Sequence, residues 1–297
     1  MTIINYPMNN MKTLMKLLLY IILISLIALS SCDIIEAPYT EEGNKPPVDT
    51  SKYVRNVLLE DYTGHRCGNC PRAAKLAATL SEHYGDRLIV MAVHAGYYAK
   101  PKGDKYSYDF RTDESNAYDE FFGISKVGNP NGMVSRIDYP TGHIKSEGKW
   151  DAAIQELLAL KPRMSLELEG SLDTNKMEIS VTYKIKYLQD GSPNDNLVLL
   201  ILEDSVIKYQ TDYSKNPPDI PDYVHMHVLR ASFTGPWGTA LNPEGIAKDD
   251  VFENTLTYKI PADKDWVPKN LSVIAYIHDN GDTYEVYQVQ KAHLKLK

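Results

Sequence analysis

The chain has 297 residues, enough for roughly two domains of about 150 residues each. Its formal net charge is −7, and 43% of its residues are hydrophobic, which is typical of a globular protein. An acidic chain without a basic patch is poorly suited to binding nucleic acid, so we expect no nucleic-acid partner.

The first 31 residues have the pattern of a bacterial lipoprotein signal peptide. Lys12 and Lys16 precede an apolar run over residues 17–29, which fits the hydrophobic region of a secretory signal and is short for a membrane span. The run ends in the sequence LSSC over residues 29–32, where a Leu and two small residues precede a cysteine. We therefore expect cleavage before Cys32 and a lipid such as palmitate on its sulfur. An uncleaved anchor helix is the alternative.

Residues 32–52 are predicted to form a tether between the lipid and the folded body. They contain several prolines and acids and few apolar residues, a composition that favours a flexible linker. Two folded domains are expected to follow, over residues 53–162 and 163–297.

A strand, a helix and a second strand open the first of these domains. Branched apolar residues over 54–62 predict a strand, and small apolar residues at helical spacing over 71–84 predict a helix. The continuous apolar run over 88–93 is typical of a parallel strand covered on both faces. This order is that of a βαβ unit, so the first domain is expected to be α/β.

Cys67 and Cys70, in the sequence HRCGNCP, lie between the first predicted strand and the helix. A Cys-x-x-Cys pair at such a junction is where thioredoxin-like folds hold a redox dithiol. The chain has three cysteines, so with Cys32 acylated this pair is expected to form a disulfide in the oxidising cell envelope. The amides of the helix N-terminus, together with His65 and Arg66, favour a thiolate after reduction.

Two more residues fit a thioredoxin-like site. Asp61 lies six residues before Cys67, where thioredoxins keep a buried acid that moves protons during exchange. Pro130, in the sequence VGNP, stands where that fold needs a cis-proline loop facing the dithiol. The similarity implies that Cys67 attacks the substrate and that Cys70 resolves the mixed disulfide. Asn69 departs from the proline that is usual between the cysteines, which leaves the direction of the reaction open.

The residues leave three other interpretations of the pair open. A zinc site needs about four ligands, and without a second Cys pair His65 or His94 would have to serve, so no metal or other cofactor is predicted. A structural disulfide would close only four residues and stabilise the fold by roughly 2 kcal/mol at most. A redox-inactive scaffold that binds a ligand is the third interpretation. The sequence His-Met-His at 225–227 could hold a metal, but an ordinary solvated strand is the preferred interpretation.

From residue 163 onwards, apolar and polar residues alternate, as in an antiparallel sheet with one buried face. The pattern predicts at least six strands and no helix, and Asn280-Gly281 indicates a hairpin between the last two strands. Residues 163–297 are therefore predicted to form an all-β domain, an antiparallel β-sandwich, with a barrel as the alternative.

The chain resembles the twenty-eight-kilodalton outer membrane protein family of Gram-negative anaerobes. The matching stretches are VLLEDYTGHRCGNCP and VGNPNGMVSRI in the first half, and LILEDSVIKYQ and HVLRASFTGPWG in the second. The resemblance implies a thioredoxin-like domain followed by an all-β domain on a lipid-anchored outer-membrane protein, facing the periplasm or the cell surface. The predicted function, exchange with thiols or disulfides of envelope proteins, rests on the dithiol. The alternative is a redox-inactive scaffold that binds a surface ligand, as an adhesin does.

Overall fold

A computed structural model describes residues 53–103 and 105–297. The predicted signal peptide (1–31), the predicted lipidation site Cys32 and the predicted tether (32–52) lie outside the described residues. Within the described ranges, no helix is long and apolar enough to cross a lipid bilayer.

Helices and strands of the described residues follow the predicted order in the first half. The helices are α1 (Cys70–Tyr84), α2 (Gly96–Ala99), α3 (Asp113–Phe122), α4 (Ile124–Val127) and α5 (Trp150–Leu158). The strands are β1 (Val57–Thr63), β2 (Leu88–His94), β3 (Asn131–Val134), β4 (Met164–Asp173), β5 (Glu178–Tyr187), β6 (Asp195–Glu203), β7 (Val206–Thr211), β8 (Asp219–His225), β9 (Val228–Ser232), β10 (Thr239–Ala240), β11 (Val251–Lys259), β12 (Leu271–Asp279) and β13 (Val286–Leu296). The predicted strand, helix and strand are thus confirmed as β1, α1 and β2.

Helices cover both faces of the sheet formed by β1, β2 and β3. β1 and β2 pair in parallel, and β3 runs antiparallel along the other edge of β1. On one face, α1 and α5 pack their apolar sides, including Leu80 and Trp150, against Leu59. On the other face, α3 packs Tyr118 against Leu58. Burial on both faces explains why β1 and β2 have apolar runs in place of alternation.

Strands from both halves of the chain join in one hydrogen-bonded sheet. Its strand order is β11-β5-β4-β13-β12-β6-β9-β2-β1-β3, and β10 pairs with β6. The connection between β2 and β9 is narrow: Ala92 stands opposite Val228, and its N–H donates to the carbonyl of His227 at 2.9 Å. A second connection joins Asn56 to β13: the backbone N–H of Asn56 donates to the Gln288 side chain at 2.8 Å.

The second half of the chain is built of strands, with β6 and β12 at its centre. Alternate residues of these strands belong to different apolar clusters, Leu200 and Ile274 to one and Leu199 and Val273 to the other. Because β4 and β5 contribute to the same cluster as Leu199, the sheet curls so that separate strands share one core. The predicted mixture of α/β and all-β structure is confirmed as a mixed architecture with one large sheet. The thioredoxin-like and sandwich arrangements, and the boundary at residue 162, stay predictions.

A buried ion pair ties the two halves together beneath β1. The Arg136 guanidinium donates two hydrogen bonds of 3.0 Å to the Glu60 carboxylate, and both side chains are 0% exposed. The same guanidinium donates to the Tyr276 hydroxyl of β12 at 2.9 Å. Since each charge is removed from water, each depends on the other for stabilisation.

A hairpin of β7 and β8, which the sequence pattern did not predict, stands apart from the large sheet. The two strands pair antiparallel, with Val206 opposite His225, and the register shifts between Lys208 and Gln210. The turn between the strands, residues 212–218, is mostly exposed. This hairpin reaches the region of Cys67 and Cys70.

Candidate functional site

Cys67 and Cys70 are joined by a disulfide between the end of β1 and the start of α1, with 5.4 Å between their Cα atoms. The turn before them is tight, because the N–H of Cys67 donates to the carbonyl of Gly64 at 2.9 Å. A Cβ atom at Gly64 would lie 2.5 Å from the backbone of Tyr98, so only glycine fits there. Pro71 occupies the first turn of α1, where no intrahelical partner is needed for its missing N–H.

Asp61 lies buried near this disulfide and has an unusual environment. Its side chain belongs to β1, the residue is 3% exposed, and its Oδ1 has no hydrogen-bond partner. Burial, together with the negative charge of Glu147, raises the pKa of the Asp61 carboxyl to about 7. Near neutral pH this carboxyl therefore exchanges protons readily, which is the property that a proton carrier for thiol chemistry needs.

Pro130 lies at the same end of the sheet as the disulfide. The register pairs Tyr62 of β1 with Asn131 of β3, so the residue before Asn131 stands beside the end of β1 that leads to Cys67. The Asn129–Pro130 peptide bond is cis. The structure thus places Asp61, Pro130 and both cysteines at one end of β1, whereas their catalytic roles stay predictions.

The predicted contribution of His65 to a positive environment is wrong. His65 is 1% exposed, and burial together with the charge of Arg66 lowers the pKa of its imidazole to about 4. It is therefore neutral at pH 7. The Arg66 guanidinium lies 4.8 Å from the centroid of the Tyr97 ring and donates to the Tyr97 carbonyl.

A cavity of about 450 Å³ lies beside Cys70, between α1 and the end of β8. Asp61, His94 and His225 line it, together with small apolar residues of α1. Both ring nitrogens of His94 and the Nε2 of His225 have no hydrogen-bond partner, although the two residues are 2% and 5% exposed. Burial lowers the pKa of His225 to about 3 and that of His94 well below its usual value, so both imidazoles are neutral. Cys70 also lines this cavity.

The β7–β8 hairpin covers the outer side of the disulfide. The Nε2 of Gln210 donates to the Cys67 carbonyl at 2.9 Å, and the N–H of Tyr213 donates to the Gly68 carbonyl at 2.9 Å. A Cβ atom at Gly68 would lie 2.5 Å from the Tyr213 ring, so that ring rests directly on the loop. Cys67 and Cys70 are consequently only 3% and 2% exposed.

The sequence analysis missed Gln210 and Tyr213 as residues of this site. They lie 140 or more positions beyond the cysteines, and no local motif links the two segments. The stretch LILEDSVIKYQ ends at Gln210 and had been singled out only for its resemblance to a family. The alternation of apolar and polar residues over 207–210 is a short signal of a strand there.

Both histidines of the His-Met-His sequence line the cavity. The Nδ1 of His227 lies 2.8 Å from the Asp204 carboxylate. Among the residues that the structure describes, no group of three or more His, Cys, Asp or Glu side chains could hold a metal ion.

Comparisons with known proteins bear on the family and the fold. The sequence model described as outer membrane protein Omp28 matches residues 115–297, a stretch that begins after the disulfide. HBP35 of Porphyromonas gingivalis is similar in structure, with a TM-score of 0.63 and 20% identity over 82% of this chain and 76% of that one. A domain of the outer membrane lipoprotein Omp28 from Porphyromonas gingivalis is 20% identical over 46% of this chain and 93% of that one, with a TM-score of 0.31. No curated protein matches the chain.

Proposed function

Because the chain belongs to the outer membrane protein Omp28 family and is therefore an outer-membrane protein, we propose that it carries out thiol–disulfide exchange in the cell envelope. In this proposal residues 53–162 form a thioredoxin-like domain and residues 163–297 a β-sandwich domain. A lipid on Cys32 anchors the protein, which faces the periplasm or the cell surface. Cys67 and Cys70 exchange the sulfur bonds.

The observation that carries the proposal is the buried Asp61 carboxyl beside a disulfide at a helix N-terminus. A disulfide with a purely structural role does not require a buried carboxyl nearby. Burying such a carboxyl costs solvation free energy, so its presence favours a chemical role. A carboxyl with a pKa of about 7 can take up the proton of an attacking thiol and return it to a leaving one. The amides at the start of α1 favour the thiolate that forms when the Cys67–Cys70 bond opens.

Redox titration of the Cys67–Cys70 couple tests the proposal. Labile disulfides have reduction potentials above about −300 mV, and stable structural ones lie at or below that value. We expect a potential above this limit, measured by alkylating free thiols after equilibration with glutathione and dithiothreitol buffers. Turnover of a small disulfide by glutathione should also be faster with the wild type than with Cys67→Ser. A potential below the limit, or equal rates, refutes the exchange activity.

Binding of a surface ligand by an inert scaffold is a second candidate function. The burial of both cysteines under the hairpin favours it, since a covered disulfide is poorly placed to react with a large partner. Tyr97 and Tyr213, which are 65% and 68% exposed near the disulfide, would suit such a contact. Protease treatment of whole cells separates the candidates, because a protein that is fully protected inside the envelope cannot bind an external surface.

The lipid anchor has its own test. Cells supplied with labelled palmitate should incorporate the label into the wild-type protein and not into Cys32→Ala. Label that persists in Cys32→Ala would contradict an anchor at this cysteine.

A further inference from the structure

We propose that the disulfide exchanges with small thiols that enter the cavity beside Cys70, and that cysteines of folded proteins do not reach it. This inference rests on the proposed exchange activity and names its substrate class. It replaces envelope protein thiols, the partners expected from the sequence, with molecules of about the size of one amino acid.

The outer approach to the disulfide is closed by the hairpin. Gln210 and Tyr213 hold the two carbonyls of the Cys67-Gly68 segment, and a third hydrogen bond, from the N–H of Thr211 to the His65 carbonyl, measures 2.8 Å. The Tyr213 ring lies against Gly68, where a partner protein would have to lie to bring its own sulfur to Cys67. In-line attack on a disulfide needs a free path to one sulfur, and this path is blocked for a large partner.

The cavity offers a second path, and it leads to Cys70. It is bounded by Pro71, Ala74 and Ala78 of α1 on one side and by Val224 and Met226 at the end of β8 on the other. Ala78, Val224 and Met226 are exposed, so the cavity opens to solvent between these two elements. Its volume of about 450 Å³ is in the range of pockets that hold small molecules.

The inner end of the cavity has polar atoms without partners. Asp61 Oδ1, the ring nitrogens of His94 and the Nε2 of His225 are all buried and make no hydrogen bond within the described chain. A buried polar group without a hydrogen-bond partner costs free energy. A ligand that supplies the missing hydrogen bonds removes that cost and therefore binds more tightly. A small thiol that also carries an amino, carboxyl or hydroxyl group can supply them while its sulfur lies near Cys70.

The exchange balances with two molecules of the small thiol. The thiolate of the first attacks the sulfur of Cys70, which forms a mixed disulfide there, and the Cys67 sulfur leaves as a thiolate. The second thiolate attacks the small-molecule sulfur of the mixed disulfide and releases Cys70. The products are the protein dithiol and the oxidised small disulfide, and the two thiol protons end on Cys67 and Cys70. Asp61, which lines the same cavity, is placed to hold a proton between these steps.

The experiment compares reduction of the folded protein by cysteine and by reduced thioredoxin, followed by alkylation and mass measurement. We expect cysteine to reduce the wild type readily, whereas thioredoxin has no advantage over cysteine at equal thiol concentration. Filling the cavity with Ala78→Leu should slow the reaction with cysteine by about tenfold or more. Thr79→Leu, the next position on α1 and also exposed, does not line the cavity and should react as the wild type does.

Removing the cover provides the complementary variant. Tyr213→Ala should speed reduction by thioredoxin and leave the rate with cysteine nearly unchanged, because the ring blocks only the outer path. Rapid reduction of the wild type by thioredoxin, or equal rates with cysteine for Ala78→Leu and Thr79→Leu, overturns the small-thiol inference and leaves the exchange activity standing. A protein that resists both reductants contradicts the exchange activity itself, and the inference with it.

Discussion

Replacing Asp61 by Asn should stabilise the protein, and the gain should grow with pH. The pKa of the buried carboxyl is about 7, against 3.8 for an ordinary aspartate, so folding penalises the ionised form. The penalty is absent below pH 3.8, increases as the pH rises, and is complete above pH 7. The distance between the two pKa values corresponds to about 4 kcal/mol at roughly 1.4 kcal/mol per pH unit. Asn keeps the shape of the side chain and removes the charge.

Urea denaturation of the oxidised protein between pH 5 and pH 8 measures this gain as a difference in the free energy of unfolding. We expect Asp61→Asn to exceed the wild type by about 1 to 2 kcal/mol at pH 5 and by about 4 kcal/mol at pH 8. Asp86→Asn, at an exposed position after α1, is the control and should show no such trend. A difference that stays constant over this pH range, or a variant that is less stable than the wild type at pH 8, refutes the reasoning.

Two further predictions concern buried charges and histidines. Glu60→Gln should destabilise the fold by about 3 to 5 kcal/mol because it leaves the Arg136 guanidinium buried without its carboxylate. Adding Arg136→Met should recover part of that loss in the same denaturation assay. A double variant that is less stable than Glu60→Gln would contradict this prediction. The lowered pKa of His225, about 3, means that the stability it provides is complete above pH 6.5 and is lost as the pH falls towards 3. Between pH 7 and pH 5, the free energy of unfolding should therefore fall by about 2 kcal/mol less for His225→Gln than for the wild type. Parallel curves of unfolding free energy against pH would contradict this prediction.

Local signals in the sequence predicted the elements that carry the cysteines. The apolar run of β2, the helical spacing of α1 and the position of Pro71 depend on neighbouring residues, so they can be read without the rest of the chain. Thr112 carries a local signal of the same kind, because its side chain accepts from the N–H of Ser115 at 3.0 Å and caps the start of α3. The spacing of Asp61 to Cys67 likewise predicts a buried acid, and Asp61 is 3% exposed.

The cover over the disulfide could not be predicted in this way. β8 contains Asp219, Pro221 and Asp222, residues that usually mark a loop, because proline donates no hydrogen bond to a sheet. The register shift between Lys208 and Gln210 also breaks the alternation of β7. The contact itself joins residues that are more than 140 positions apart, and only the folded chain brings them together. The sequence therefore predicts the cysteine pair but not the hairpin segment that covers it.

The position of β13 has a consequence for export. This strand follows every other described strand along the chain, yet it lies between β12 and β4 in the middle of the sheet. While a chain crosses the inner membrane with its first half leading, β12 and β4 each expose an unpaired edge until residues 286–296 have arrived. Exposed edges pair readily with strands of other copies, so the incomplete sheet is prone to aggregation. Export of this protein therefore leaves both edges unpaired until the last strand is inserted.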